Sequence, residues 1–184
     1  MFMFKVKFKR RNEALTNYKK RLALVKSELA RVVVRKSNSR IIGQVVSYTE
    51  QGDMVKVSVD SSKLKKYGWP SRANRSTAYL TGMLLAKEAK KLGNHEYILD
   101  IGLSASVSGS VPFVFAKGCV DNGLKLKGTF NIDPKVYDGS QTAKFAQEKQ
   151  GSKNQFSLYA KNNVKVSELP SLFGKVAAQI KSEK

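Results

Sequence analysis

Tyr67 and Trp69 stand among Lys63, Lys65, Lys66, Arg72 and Arg75 in a stretch interrupted by Gly68 and Pro70. Unstacked bases need planar faces and their phosphates need mobile cations beside them, and each stacked base contributes about 1–3 kcal/mol. Trp69 has a second reading, a buried anchor that pins the loop, and sequence leaves both open. A second constellation, Arg35-Lys36-Ser37-Asn38-Ser39-Arg40, gathers guanidinium, ammonium, hydroxyl and amide donors in one turn. Arginine forks phosphates, while serine and asparagine reach phosphates or 2′-hydroxyls.

Other chemistries find little support. No GxxxxGK[ST] phosphate loop and no GxGxxG turn occurs in the chain. Ser104, Ser106 and Ser108 between Gly102 and Gly109 could cradle a phosphate, though such a stretch is more often only a loop. Asp60 and Asp100 fall at expected strand ends, where a metal-dependent nuclease would put carboxylates. Two isolated aspartates more often cap turns. His95 follows a helix end, where a cation is favoured over general-base duty. Cys119 reads as a small core residue, and one cysteine with one histidine excludes both an internal disulfide and a Cys/His zinc cage. No cofactor, metal or small-molecule substrate is expected.

Composition agrees. The 184 residues hold 34 Lys+Arg against 14 Asp+Glu, a net charge of +20. A small domain needs only about 2–8 charges for solubility, so this excess implies a polyanionic partner. Residues 1–40 carry 13 basic and 2 acidic side chains, a net +11 in about a fifth of the chain. Such a block behaves as an interaction tail, because each cation at a phosphate releases a condensed counterion. Nucleic acid is the expected partner, RNA before DNA. With 41% hydrophobic residues the rest can fold around a core. No apolar run approaches the ~18 residues that span a bilayer, and the apolar–basic start lacks a signal-peptide pattern. A soluble, intracellular protein is expected.

The elements that must position these groups can be read from periodicity. Spacing predicts a helix over residues 13–26, strands over 31–35, 41–49 and 54–59, and short turns that make them an antiparallel meander. Ser76 or Thr77 would cap a helix running to Leu92, with Gly93 after its end. A buried strand over 97–101 and a helix over 114–120 follow. Strand, helix, strand, helix after a meander means an α/β fold with a mixed sheet. The expected organisation is a basic arm and helix over 1–26, an α/β core over 27–137 and a C-terminal extension over 138–184. In that extension only residues 169–180 are mildly amphipathic, and it reads as an appendage.

Four ordered blocks then carry a resemblance: Val32-Val33-Val34-Arg35-Lys36-Ser37-Asn38, Leu64-Lys65-Lys66-Tyr67-Gly68-Trp69, Ala78-Tyr79-Leu80-Thr81-Gly82 and Leu99-Asp100-Ile101-Gly102-Leu103. With Phe8-Lys9-Arg10-Arg11 and Tyr18, they resemble the 5S-rRNA-binding large-subunit ribosomal protein family, numbered eighteen in archaea and five in eukaryotes. The likeness covers residues 5–146 and is closest to the archaeal type. It implies a three-layer α/β/α domain similar to the ribonuclease-H-like arrangement without its nuclease site. It also implies a non-enzymatic role in the cytoplasm, anchoring 5S rRNA to the large rRNA at the central protuberance, beside other ribosomal proteins. The family's arm maps onto Lys5, Lys7, Lys9, Arg10, Arg11, Tyr18, Lys19 and Arg21 as RNA contacts. Arg35, Lys36, Ser37, Asn38, Arg40, Lys65, Lys66, Tyr67, Trp69, Arg72 and Arg75 complete the expected contact set. The rivals are a metal-dependent nuclease using Asp60 and Asp100, and a generic nucleic-acid-coating polycation.

Overall fold

The computed structural model describes residues 6–93, 95–148, 156–162 and 164–182. Lys5 and the polar break at 151–155 lie outside the described residues. Three β-branched strands, β1 (Ala30–Lys36), β2 (Ile41–Thr49) and β3 (Gly52–Asp60), form the meander. A 3-10 segment (Ser61–Tyr67) leads into helix α3 (Arg75–Lys90), then β4 (Glu96–Asp100), α4 (Val111–Asp121) and the two-residue β5 (Lys125–Leu126). Strand order is β3-β2-β1-β4-β5, with antiparallel pairing through the meander and parallel pairing of β4 to β1 and of β5 to β4. The chain thus adopts an α/β fold with a mixed sheet, consistent with a three-layer arrangement.

Register fixes which side chains reach the core, because strand side chains alternate between faces. Val32, Val34, Ile41, Val45 and Val59 face α3 and α4 and belong to one buried cluster. Arg31, Val33 and Arg35 point to the other face. A bulge places Lys56 between the pairs Val45–Val57 and Val46–Val55, so Val55 leaves the face that Val57 and Val59 share. Helices α3 and α4 cross almost backbone to backbone. A Cβ on Gly82 would stand 2.2 Å from the Phe115 carbonyl oxygen, and one on Gly118 would stand 2.2 Å from that of Tyr79. No larger residue fits that crossing without spreading the helices.

Several boundaries differ from the spacing-based expectation. The helix expected over 13–26 shortens to α2 (Tyr18–Val25), and a four-residue α1 (Lys9–Asn12) that spacing did not predict precedes it, with Ala14 at φ 52° between them. Neither piece buries a residue, so no packed face sustains a longer helix. Asn17 starts α2 afresh, its Oδ1 accepting the Lys20 N–H at 3.1 Å. Helix α3 is capped by Asn74, not Ser76 or Thr77, through the Thr77 N–H at 2.9 Å. Helix α4 begins earlier than expected because Pro112 fits a first helical turn.

The C-terminal extension also differs from an appendage. Helices α5 (Ser140–Glu148), α6 (Ser157–Lys161) and α7 (Leu169–Ser182) follow one another. Leu169, Phe173, Val176 and Ile180 of α7 are buried in the same cluster as Trp69 and Tyr79. Phe173 lies 6.1 Å from Trp69 and 5.5 Å from Tyr79, centroid to centroid. The spacing of those four residues is legible as a helix, but the surface it covers is not.

Candidate nucleic-acid interface

The arm presents its cations on short, exposed elements. Lys7, Arg11 and Lys19 are exposed and have no acidic partner among the described residues. Lys9 meets Glu13 only at 3.9 Å and remains 87% exposed. Arg10 donates from Nε to Thr16 Oγ1 at 2.9 Å, and Tyr18 packs on Phe8 with ring centroids 5.5 Å apart. Arg21 differs, since its Nη2 is 2.9 Å from Asp53.

That ion pair begins a ladder. Asp53 also lies 2.6 Å from Arg31 Nη2, Arg31 Nη1 donates to Asp100 Oδ2 at 3.3 Å, and Arg35 Nη2 donates to Asp100 Oδ1 at 3.1 Å. Three arginines and two aspartates therefore link the arm to the β1–β2 turn. Arg31 is 3% exposed and can be buried only because both acids compensate it. Sequence reasoning passed over Arg31 and Asp53. The available signal was an arginine followed by three valines, which must be paired if the strand is internal.

Inside the turn, Ser37 is committed to the backbone. Its Oγ donates to the Arg40 carbonyl and accepts the Arg40 N–H, both at 3.0 Å. Lys36 and Asn38 stay exposed, and Arg40 lies 3.6 Å from Asp60. Asp60 caps the 3-10 segment by accepting the Ser62 N–H at 2.7 Å. Burial alone would raise the Asp60 carboxyl, but Ser62 and the Arg40 guanidinium together hold it below the ordinary value of 3.8. Asp60 thus connects the turn to the third basic stretch.

In that stretch Lys65, Lys66 and Arg72 are exposed, and none has an acidic partner among the described residues. Arg75 donates to Gln141 Oε1 at 3.2 Å. Tyr67 lines a recess of about 200 Å³ with Lys63, Lys66, Lys87 and Glu88. Trp69 corrects the stacking expectation: it is 2% exposed and its Nε1–H donates to Thr77 Oγ1 at 3.0 Å. Of its two readings, the buried anchor is the one the fold adopts. Tyr48 is an aromatic that sequence reasoning did not select, 54% exposed on β2.

The carboxylates of the nuclease reading are engaged elsewhere. Asp100 accepts from Arg31, Arg35 and the Gly102 N–H, and two guanidiniums beside it oppose a metal cation. Among the described residues, no three His, Cys, Asp or Glu side chains gather as a metal site. Ser104, Ser106 and Ser108 are exposed. The His95 ring lies 3.1 Å from the Leu92 carbonyl past the end of α3. Cys119 is fully buried against the Gly82 carbonyl at 3.3 Å, and burial pushes its thiol far up.

Residues 3–97 match the family described as ribosomal large subunit proteins 60S L5 and 50S L18. The chain is 42% identical to the large ribosomal subunit protein uL18 of Korarchaeum cryptofilum, over 96% of this chain and 94% of that protein. It is 37% identical to the protein of the same name from Sulfurisphaera tokodaii, over 97% and 95%. These alignments extend past residue 146, where the motif resemblance ended, and so take in the C-terminal extension.

Proposed function

The chain belongs to the family of large-subunit ribosomal proteins 60S L5 and 50S L18, and from that premise we propose that it anchors 5S rRNA to the large rRNA at the central protuberance. It is a structural component of the large ribosomal subunit, without enzymatic activity, and works in the cytoplasm among ribosomal RNA and ribosomal proteins. The observation that carries the RNA-binding part of this reading is the division of the basic residues into two groups, while the choice of 5S rRNA rests on the family resemblance. Arg21, Arg31 and Arg35 are engaged by Asp53 and Asp100, whereas Lys7, Arg11, Lys19, Lys36, Lys65, Lys66 and Arg72 are exposed and unopposed among the described residues. The unopposed group supplies the phosphate contacts, and Lys5 joins it by sequence. Exposed cations strengthen RNA binding through counterion release, while the aspartate-held ones fix the frame that presents them.

The test is a titration of the full chain with 5S rRNA over a salt series, with excess transfer RNA as competitor. Engagement of about eight phosphates gives a slope of log K against log[salt] of roughly −6 to −7. Tight binding that survives the competitor is the expected result. Binding erased by transfer RNA would reduce the protein to a generic polycation on RNA.

A further inference from the structure

Arg35 was expected to fork a phosphate, but its amino groups are turned inward. Nη1 donates to the Val34 carbonyl at 2.8 Å and to the Asp100 carbonyl at 3.0 Å, and Nη2 donates to Asp100 Oδ1 at 3.1 Å. These bonds fix the plane of the guanidinium, and Asp100 offsets much of its charge. One face of that plane is seated on Gly102. A Cβ at Gly102 would meet Arg35 Cζ at 2.9 Å, Nη1 at 3.0 Å and Nε at 3.3 Å. Near-equal distances to three atoms of the group mean that the glycine Cα approaches its flat side. Gly102 also has φ 62°, a conformation that other residues adopt only with strain. Despite four fixed contacts, the Arg35 side chain remains 48% exposed.

We propose that Arg35 is a fixed stacking platform for an unpaired nucleobase of single-stranded RNA. A guanidinium held edge-on by acceptors, backed on one side and open to solvent, offers a base what an aromatic ring offers, with added cation–π attraction. Lys36 and Asn38, exposed in the same turn, are placed to hold the flanking phosphate and ribose. The proposal rests on the RNA-binding reading and names what this part of the surface takes from the RNA: a base face, not a phosphate.

The experiment is a double-mutant cycle between protein and RNA. The full chain, Arg35→Lys and Gly102→Ala are each titrated with a single-stranded uridine nonamer and with the same nonamer carrying abasic riboses. Circular dichroism checks that each variant is folded. Arg35→Lys keeps the charge and loses the plane, and Gly102→Ala lifts the plane from its seat. For the unaltered chain, base removal should weaken binding roughly five- to a hundredfold. Each variant should show a comparable loss on the intact nonamer, little further loss on the abasic one, and an unchanged salt slope. The platform is overturned if Arg35→Lys binds the intact nonamer as well as the unaltered chain does. Equal loss with both nonamers, or a chain that binds 5S rRNA but ignores bases altogether, would equally overturn it; the latter would leave the face to a neighbouring protein. If Arg35→Lys does not fold, the Gly102→Ala cycle decides alone. Preference for 5S rRNA over transfer RNA is read separately, so either reading can fail without the other.

Discussion

At Trp69 the indole N–H and the indole face make different demands on the surroundings. A stacking residue needs its face in solvent, whereas a buried indole needs a partner for its one donor. Thr77 supplies that partner from the first turn of α3, and Phe173 covers the ring edge-on. Trp69→Phe should therefore cost stability, about 1–3 kcal/mol, since it removes a buried hydrogen bond and leaves a void. Urea unfolding measures the loss, and RNA affinity of the folded fraction should not change. A drop in affinity with stability intact would return Trp69 to the interface. Asp60 is a residue of another kind, legible as a strand-end acid but not as a cap. Its carboxyl is held below the ordinary 3.8, so the stabilisation it gives is present above that value. It is lost as pH falls through the lower folded-state value. Asp60→Asn should thus be less stable than the unaltered chain at neutral pH. Its acid-unfolding curve should be flatter, and the two should converge once pH lies below the folded-state value. Parallel curves would show that the Ser62 and Arg40 contacts do not act through the charge.

At the scale of elements, what could be read from sequence depended on whether the information was local. Strands β1 to β3 declare themselves through β-branched runs between turn residues, and their observed limits differ from the expected ones by two residues at most. Strand β5 has two residues and no pattern to find. The arm misled because Leu15 and Leu22 sit at helical spacing yet are 52% and 57% exposed, so their periodicity marks no packed face. The site divides in the same way. Its cations were legible, but pairing of Arg35 with Asp100, 65 positions away, is a product of the parallel β1–β4 contact and leaves no trace in spacing. Helix α7 is the clearest case of a legible element with an illegible destination. Phe173 closes over Trp69, Tyr79 and Tyr137, so Phe173→Ala should cost about 3–5 kcal/mol in chemical denaturation. An appendage would tolerate that substitution with almost no change. A null effect would therefore detach α7 from the core.

For the whole molecule, the separation of charge from core has a consequence for binding. Neither α1 nor α2 buries a residue, and an ion pair between Arg21 and Asp53 ties α2 to the sheet. Asp53 keeps Arg31 as a partner when Arg21 is gone, so the buried arginine is not stranded. Deleting residues 1–21 should then leave the denaturation midpoint nearly unchanged, within about 1 kcal/mol, the scale of an exposed ion pair. The same deletion removes eight basic side chains and one acidic one. Four of the eight cations assigned to phosphates, Lys5, Lys7, Arg11 and Lys19, go with it, so the salt slope should become shallower by about 3–4. Affinity for 5S rRNA at low salt should collapse with it, while circular dichroism keeps its helix and strand signal. Arg35, held by Asp100 and backed by Gly102, would remain in place, so the truncated chain should still weaken when the bases of the single-stranded nonamer are removed. Unchanged 5S affinity after the deletion would mean that the arm's charge faces something other than this RNA, and binding would then have to be assigned to the β1–β2 turn and the 63–75 stretch alone.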